Sequence, residues 1–377
     1  MKIVADADLY RITELFGDLG KLTLVPGREL SHADLAGADA LLIRSVTNVN
    51  KELLSNSSLQ FVGTATSGTD HVDIKLLQER GIHFCDAKGT NANAVVDYCF
   101  AALGELGYLQ AQVFNELSIG VVGYGFIGKS LAHKLAYLGA NVKICDPPVQ
   151  DLQHEPTDFS DLEELTHCDI VTVHTPLTID GKYPTRKLID SNFLSSMKKN
   201  ALLINTCRGG VVDEQAVLKK KIQHEEFKLV FDVWENEPAV SIDLVAKATI
   251  ATPHIAGYSQ ESKYEAVNCL RKVFIDYFNL ENDKICQTEN AFPASGSFTA
   301  TASSLVPLLQ CNFSIAKQSA EFKRAVARGS TEDYFDQARK QLLDRREYKS
   351  FSASQALFGG FEGEVLNQLG VAINPVH

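Results

Sequence analysis

Residues Leu117–Pro148 read LSIGVVGYGFIGKSLAHKLAYLGANVKICDPP. An apolar strand, Leu117 to Val122, runs into Gly123, Gly125 and Gly128; a helix-forming stretch follows, and a second apolar run stops at Asp146. A G-x-G-x-x-G spacing alone is a weak signal. Strand, glycine turn, helix, strand and terminal acid in this order make the fingerprint of a dinucleotide-binding βαβ unit. The glycines allow a tight turn and a close approach of backbone to a pyrophosphate, whose charge the helix N-terminus favours. Asp146 can accept hydrogen bonds from both ribose hydroxyls and would repel a 2′-phosphate. Pro147 and Pro148 stand where a phosphate-binding arginine would, so NAD is expected over NADP.

Outward from this unit the pattern repeats. DIVTVHTPLT, NALLINTCRGG, FKLVFDVWENEP and KATIATPHIAGYS are apolar runs that each stop at a compact polar segment, which predicts a doubly wound parallel sheet of Rossmann type. The carboxyl ends of such strands share one edge. The runs Ala201 to Ile204, Leu229 to Phe231 and Ala248 to Ala251 therefore deliver Arg208, Glu237 and His254 to a common crevice. A guanidinium to anchor a substrate carboxylate, a carboxylate to orient and an imidazole to move a proton make an oxidoreductase site. His174, in HTPL, reads as a loop-positioning residue and not as a second base.

Upstream, KIVAD, ALLIR, LQFVGTAT and GIHFC are short apolar strands separated by helical stretches, a second α/β unit of flavodoxin-like type. AVVDYCFAALGELGY, from Ala94 to Tyr108, is apolar nearly all round and predicts a buried helix at a domain boundary near Asn93. Downstream, ESKYEAVNCLRKVFIDYFNL carries Ala266, Val267, Leu270, Val273, Phe274 and Tyr277 at a helical period. Folded back onto the first unit, it makes that unit discontinuous. The expected division is a substrate-binding domain of residues 1–93 plus 257–285, an NAD-binding domain of residues 94–256, and a small C-terminal α+β domain of residues 286–377 that supports dimerisation. No formal charge appears between Glu289 and Lys317, but Pro293, Pro307 and many Ser and Thr mark a linker and not a membrane span. In the charged helical piece from Ser330 to Arg346, Arg345 and Arg346 are expected on a solvated face, serving a neighbouring subunit's site only if dimerisation brings them there.

Composition narrows the partners. The 36 Lys plus Arg against 47 Asp plus Glu leave a net charge of -11, which opposes non-specific binding to nucleic acid or an anionic membrane. MKIVADADLY is acidic where a secretory leader would be basic, so a cytoplasmic location is expected. Eight cysteines without a CxxC pair fit reduced thiols acting as small buried hydrophobes. Cys207 stands apart, beside Arg208, where it would present a thiol to the cofactor. Asp70, His71 and Asp73 open a helix and read as N-capping and first-turn charge, so no metal is expected. Arg44, after a strand and beside Ser45, either reaches a substrate phosphate or is an ordinary strand-end arginine.

VGYGFIG, CDPP, HTPLT, INTCRGGVVDE, FDVWENEP and TPHIAG, in this order, resemble the D-isomer-specific 2-hydroxyacid dehydrogenases. MKIVADAD, LLIRSVTNVN, FVGTATSGTDHVD and PHIAGYS extend the resemblance over nearly the full chain, to members that oxidise the 2-hydroxyl of 4-phospho-D-erythronate in pyridoxal 5′-phosphate synthesis and dimerise through a C-terminal domain. The resemblance implies a catalytic set of Arg208, Glu237 and His254. It implies cofactor contacts at Gly123, Gly125, Phe126, Ile127, Gly128, Asp146, Thr175, Thr206, Cys207, Arg208, Asp232 and Gly257, and substrate contacts at Ser45, Thr66 and Tyr258. At Phe126 the chain departs from the small or polar residue commoner in the family. A phosphoglycerate or glyoxylate/hydroxypyruvate dehydrogenase is the enzyme alternative, and an NAD-sensing binding protein without catalysis is the other; the intact trio weighs against the latter.

Overall fold

The structure, a computed structural model, describes residues 1–152, 158–280, 304–329, 331–354 and 358–374. The stretch read as a linker thus lies outside the described residues as far as residue 303. The chain divides into two compact units, Met1–Asn91 with Gln260–Pro293, and Ala92–Ser259 with Ala294–His377.

The first unit is built on five parallel strands, β1 (Lys2–Asp6), β2 (Lys21–Val25), β3 (Ala40–Ile43), β4 (Phe61–Thr64) and β5 (His83–Asp86), in the order β2-β1-β3-β4-β5. That is the flavodoxin-like order. Its central strands β3 and β4 are buried at every residue, as unalternating apolar runs covered on both faces must be. On one face the helix Gln260–Phe278 sets Tyr264, Val267, Leu270 and Phe274 against Ile3, Leu15, Phe16 and Phe61, which is how its helical apolar stripe is used.

The second unit carries six parallel strands, β6 (Ser118–Val122), β7 (Asn141–Cys145), β8 (Ile170–Val173), β9 (Leu202–Asn205), β10 (Lys228–Phe231) and β11 (Ile250–Ala251), in the order β11-β10-β9-β8-β6-β7. Beyond β7 a single parallel bridge, Ile144 to Phe159, marks the place of one more strand. Counting it, the order is that of the dinucleotide fold, with the reversal between β6 and β8. The register levels the carboxyl ends. Val122 pairs Cys145 and Val173, Val173 pairs Asn205, Asn205 pairs Phe231, and Phe231 pairs Ala251. Gly123, Asp146, His174, Thr206, Asp232 and Thr252 consequently all leave the sheet at one edge.

The helix Ala92–Glu105 buries eleven of its 14 residues, including the carboxylate Asp97. Leu131 and Leu135 of the glycine-loop helix share its core, and so do Leu305, Leu308, Leu309, Phe313 and Tyr348 from the C-terminal segment. That segment forms helices Leu305–Asn312, Ile315–Ala327, Thr331–Gln341 and Gly360–Gln368, and a pair of parallel strands, β12 (Ser352–Ser354) and β13 (Ala372–Asn374). Within its second helix, Phe322 packs 5.8 Å from the Trp234 ring, and Ser319 Oγ accepts the Ala251 N–H at 3.0 Å. The donor of an edge strand is thereby satisfied from the C-terminal segment.

Arg345 corrects the sequence reading. It is 3% exposed, donates to the carbonyls of Ile255, Ala256 and Ala94, and lies 4.2 Å from the Phe313 ring centroid. Charge periodicity on a helix cannot show that carbonyls from distant loops will converge on one guanidinium. Arg346 is half-buried and held through its backbone N–H to Asn312 Oδ1 at 3.3 Å.

Asp97 accepts the Tyr348 N–H at 2.8 Å, and its burial pushes the carboxyl up to about 8. A carboxyl raised in the folded state contributes stability that is fully present below its unfolded value near 4 and is lost as pH rises through about 8. In the Asp97→Asn variant the amide oxygen still accepts from Tyr348 and nothing titrates. Between pH 6 and 9 the Tm of the wild type is expected to fall by at least ~2 °C more than that of the variant, measured by scanning calorimetry. Parallel curves would refute the buried-carboxyl account.

Candidate active site

The site grows from the levelled strand ends of the second unit. After β6, Gly123 adopts φ +95°, and a Cβ there would meet the His174 carbonyl oxygen at 2.8 Å. At Gly128 a Cβ would lie 1.8 Å from the Gly123 carbonyl oxygen, so neither position admits a side chain. Around Gly125, the N-cap of helix Phe126–Tyr137, nothing lies within 4 Å of where a Cβ would be, which leaves the backbone open to an approaching ligand. Phe126 is 67% exposed and Ile127 half-buried. Asp146 is fixed at the mouth of this turn: Oδ2 accepts the Tyr124 N–H at 2.6 Å and Oδ1 the Val149 N–H at 3.1 Å. Thr175 Oγ1 is buried and has no hydrogen-bond partner among the described residues; a nucleotide's polar groups would supply one. Open backbone, ribose acceptor and orphan hydroxyl together fit NAD.

Next along the edge, burial lowers the His174 imidazole to about 3, so it is neutral, with Nε2 2.8 Å from Thr172 Oγ1 and Nδ1 3.4 Å from Thr206 Oγ1. It positions the loop. After β9, Asn205 Oδ1 accepts both the Cys207 N–H at 3.2 Å and its thiol at 3.1 Å. Burial raises that thiol above its ordinary range, so Cys207 is a protonated packing group. Arg208 is half-buried and donates from Nη1 to the Cys207 carbonyl at 2.7 Å. A Cβ on Gly209 would come within 1.9 Å of the Trp234 carbonyl oxygen. The absence of a side chain there lets the Arg208 turn lie directly against the loop that carries Glu237.

Glu237 and His254 form the centre. Glu237 Oε1 accepts the Trp234 N–H at 2.9 Å, and Oε2 lies 2.8 Å from His254 Nδ1. Burial alone would raise the Glu237 carboxyl, but the His254 charge and hydrogen bond, the Trp234 N–H and the Arg339 charge outweigh it and hold the group below its usual value. An ionised carboxylate accepts only, so Nδ1 carries the hydrogen and Nε2 is the nitrogen turned away from Glu237. The side chain is 34% exposed.

His254 has φ +57°, a left-handed conformation that costs a non-glycine residue about 1 kcal/mol. Asp232 holds it there. Its carbonyl accepts the His254 N–H at 2.7 Å, Oδ1 accepts from Thr252 Oγ1 at 2.6 Å and the Ile255 N–H at 2.8 Å, and Oδ2 accepts the Ala256 N–H at 2.8 Å. Both carboxylate oxygens of Asp232 thus hold the turn that carries His254. Gly257 and Tyr258 follow in that turn, with the Tyr258 N–H bonded to the Ile255 carbonyl at 3.0 Å.

In the first unit, Arg44 and Ser45 follow β3, and Thr66 lies two residues beyond β4. Arg44 is engaged by carboxylates, with Nε 2.7 Å from Asp6 Oδ2 and Nη2 2.7 Å from Asp8 Oδ2. Ser45 is exposed. Thr66 Oγ1 donates to the Gly68 carbonyl at 2.7 Å and lies 2.8 Å from Thr64 Oγ1. Asp73 caps helix Ile74–Glu79 through the Leu76 N–H, whereas His71 turns inward to Thr64 Oγ1 at 2.9 Å. Sequence reasoning passed over Asn205, Glu214, which accepts the Glu235 N–H at 2.6 Å, and Arg339. Asn205, two residues before Cys207 at a strand end, carried a legible signal; the other two did not.

A family profile described as D-isomer specific 2-hydroxyacid dehydrogenase, NAD binding domain, matches residues 105–256. Erythronate-4-phosphate dehydrogenases from Escherichia coli O1:K1 and Shigella boydii serotype 4 are each 39% identical to this chain over 355 residues, 93% of either sequence. The chain belongs to the D-isomer specific 2-hydroxyacid dehydrogenases. Solved structures sharing the fold include an NAD-dependent formate dehydrogenase from Staphylococcus aureus in complex with NAD (TM-score 0.59, 24% identity) and a D-lactate dehydrogenase from Aquifex aeolicus complexed with NAD and lactic acid (TM-score 0.57, 23% identity). Each is matched over 96% of its own length but 74% of this dehydrogenase, so about a quarter of this chain has no counterpart in them.

In this dehydrogenase Glu237→Gln keeps the acceptor for Trp234 but can offer His254 an N–H, which favours the wrong tautomer. Turnover is expected to fall about 10²- to 10⁴-fold with NAD affinity unchanged. Steady-state kinetics within threefold of wild type would remove Glu237 from the orienting role.

Proposed function

We propose that this NAD-dependent dehydrogenase oxidises the 2-hydroxyl of 4-phospho-D-erythronate to (R)-3-hydroxy-2-oxo-4-phosphooxybutanoate. The observation that carries the reading is the 2.8 Å contact between His254 Nδ1 and Glu237 Oε2, in a chain 39% identical to erythronate-4-phosphate dehydrogenases across 93% of its length. His254 Nε2 takes the hydroxyl proton while the C2 hydrogen departs with its electron pair. Bound NAD supplies the acceptor for that hydride. Glu237 holds the neutral ring in its Nδ1–H tautomer beforehand and stabilises the imidazolium afterwards. Arg208 grips the carboxylate with a planar fork that lysine does not offer. Gly123, Gly125, Phe126, Ile127, Gly128, Asp146, Thr175 and Thr206 to Arg208 hold the cofactor, with Asp232 and Gly257 completing the set. Ser45, Thr66 and Tyr258 contact the substrate.

The relatives' names support a place in pyridoxal 5′-phosphate synthesis, and the reading includes a cytoplasmic homodimer joined through the C-terminal segment. None of the described helices is long and apolar enough to cross a membrane.

Substrate choice is tested by rates. Catalytic efficiency on 4-phospho-D-erythronate is expected to exceed that on unphosphorylated D-erythronate by about 10³-fold, since a site built for a charged group is left with unpaired polar groups without it. Efficiency on 3-phospho-D-glycerate above that on 4-phospho-D-erythronate would assign the chain to the phosphoglycerate branch. His254→Ala is expected to lower turnover about 10²- to 10⁴-fold, and an unchanged rate at neutral pH would rule it out as the base.

A further inference from the structure

The Glu237–His254 pair has a neighbour that comes from the C-terminal segment. Arg339, on the helix Thr331–Gln341, brings Nη2 to 3.9 Å from Glu237 Oε2, the same oxygen that meets His254 Nδ1. Its guanidinium lies 5.8 Å from the Tyr258 ring centroid and 5.5 Å from that of Phe335. Nε is buried and makes no hydrogen bond among the described residues, and only 22% of the side chain is exposed. Among the described residues Glu237 is its one acidic partner within ion-pair range.

The helix is held against the same loops that carry the catalytic pair. Phe335 packs edge-on against Phe322 at 5.5 Å, and Phe322 lies on Trp234, whose N–H binds Glu237. Further along, Arg345 ties the segment to the Ile255 and Ala256 carbonyls, and Glu347 Oε1 accepts from Ser259 Oγ at 3.0 Å. The segment that carries Arg339 is thus held on both sides of the His254 turn.

We propose that Arg339 is a positioning residue for the reaction, holding the Glu237 carboxylate in line with His254 and tempering the pull of that carboxylate on the imidazolium. The inference rests on His254 being the base. A positive charge beside the pair disfavours a proton on His254, so removing it lets the proton persist to higher pH. Among the described residues the other charges around the pair are Glu214 and Glu235 beside the Trp234 loop, Asp232 beneath the turn, Arg345 on the Ile255 and Ala256 carbonyls and Glu347 at Ser259; all stay in place when Arg339 is changed.

The test is the pH profile of kcat/KM for 4-phospho-D-erythronate oxidation, from pH 5.5 to 9.5, in the full-length wild type, Arg339→Gln and Arg339→Lys. In Arg339→Gln the acid limb is expected to move up by about 0.5 to 1 pH unit and kcat to fall by roughly 3- to 30-fold, with KM within about threefold of wild type. Arg339→Lys is expected to keep the limb within about 0.3 unit and recover most of kcat. A limb that stays in place in folded Arg339→Gln overturns the inference, as does a KM rise above about tenfold with kcat retained, which would make Arg339 a substrate contact. Failure of Arg339→Lys to improve on Arg339→Gln also counts against it. If Arg339→Gln does not fold, Arg339→Met is read by the same criteria. A wild type with no acid limb at all would instead fail the assignment of His254 as base.

Discussion

The bond between His254 and Glu237 exists because Asp232 bends the chain beneath it. That carboxylate is 1% exposed, and it takes three donors from one short turn, two backbone N–H groups and the Thr252 hydroxyl. Tyr98 braces the arrangement, its hydroxyl 2.6 Å from Thr252 Oγ1, and the Trp234 indole N–H binds the Thr252 carbonyl at 2.9 Å. A buried charge is tolerated only when its lone pairs are used in this way. The gain is a histidine held in a left-handed conformation with Nδ1 toward Glu237 and the opposite nitrogen left for a substrate. Levelled strand ends supply the site's location, and this clamp supplies its geometry.

Much of this was legible in the sequence, for identifiable reasons. Gly123 and Gly128 have no freedom to be anything else, because a Cβ at either would enter backbone. Asp146, Arg208, Glu237 and His254 each stand just beyond an apolar run, and parallel strands with matched ends make that position meaningful without any knowledge of side-chain packing. The third strand of the dinucleotide fold, reduced to the Ile144–Phe159 bridge, left no apolar run to read. Cys207 and Asp232 were expected beside the cofactor; the hydrogen bonds that Asn205 and the Thr252–Ala256 turn make to them had no signal in the sequence.

The C-terminal segment was the least legible part. Its charged helix has the pattern of a solvated face, and the carbonyls that Arg345 finds at Ala94, Ile255 and Ala256 are more than 80 positions away in the chain. Local periodicity carries no record of such partners. Read as an oligomerisation appendage, the segment turns out to share a core with the helix Ala92–Glu105, to complete the edge of β11 and to carry Arg339 to the carboxylate behind the base. The two solved structures named above share the fold over 74% of this chain.

The central claim is a protonation pattern: hydrogen on Nδ1 of His254, shared with Glu237, and a bare Nε2. Nitrogen-15 NMR of histidine-labelled protein at pH 8, with His254 assigned by comparison with His254→Asn, reports that pattern directly. The expected spectrum shows His254 as the Nδ1–H tautomer, with that proton shifted by its bond to a carboxylate. A His254 signal from the Nε2–H tautomer would contradict the account, because the nitrogen facing the substrate would then be unable to accept its proton.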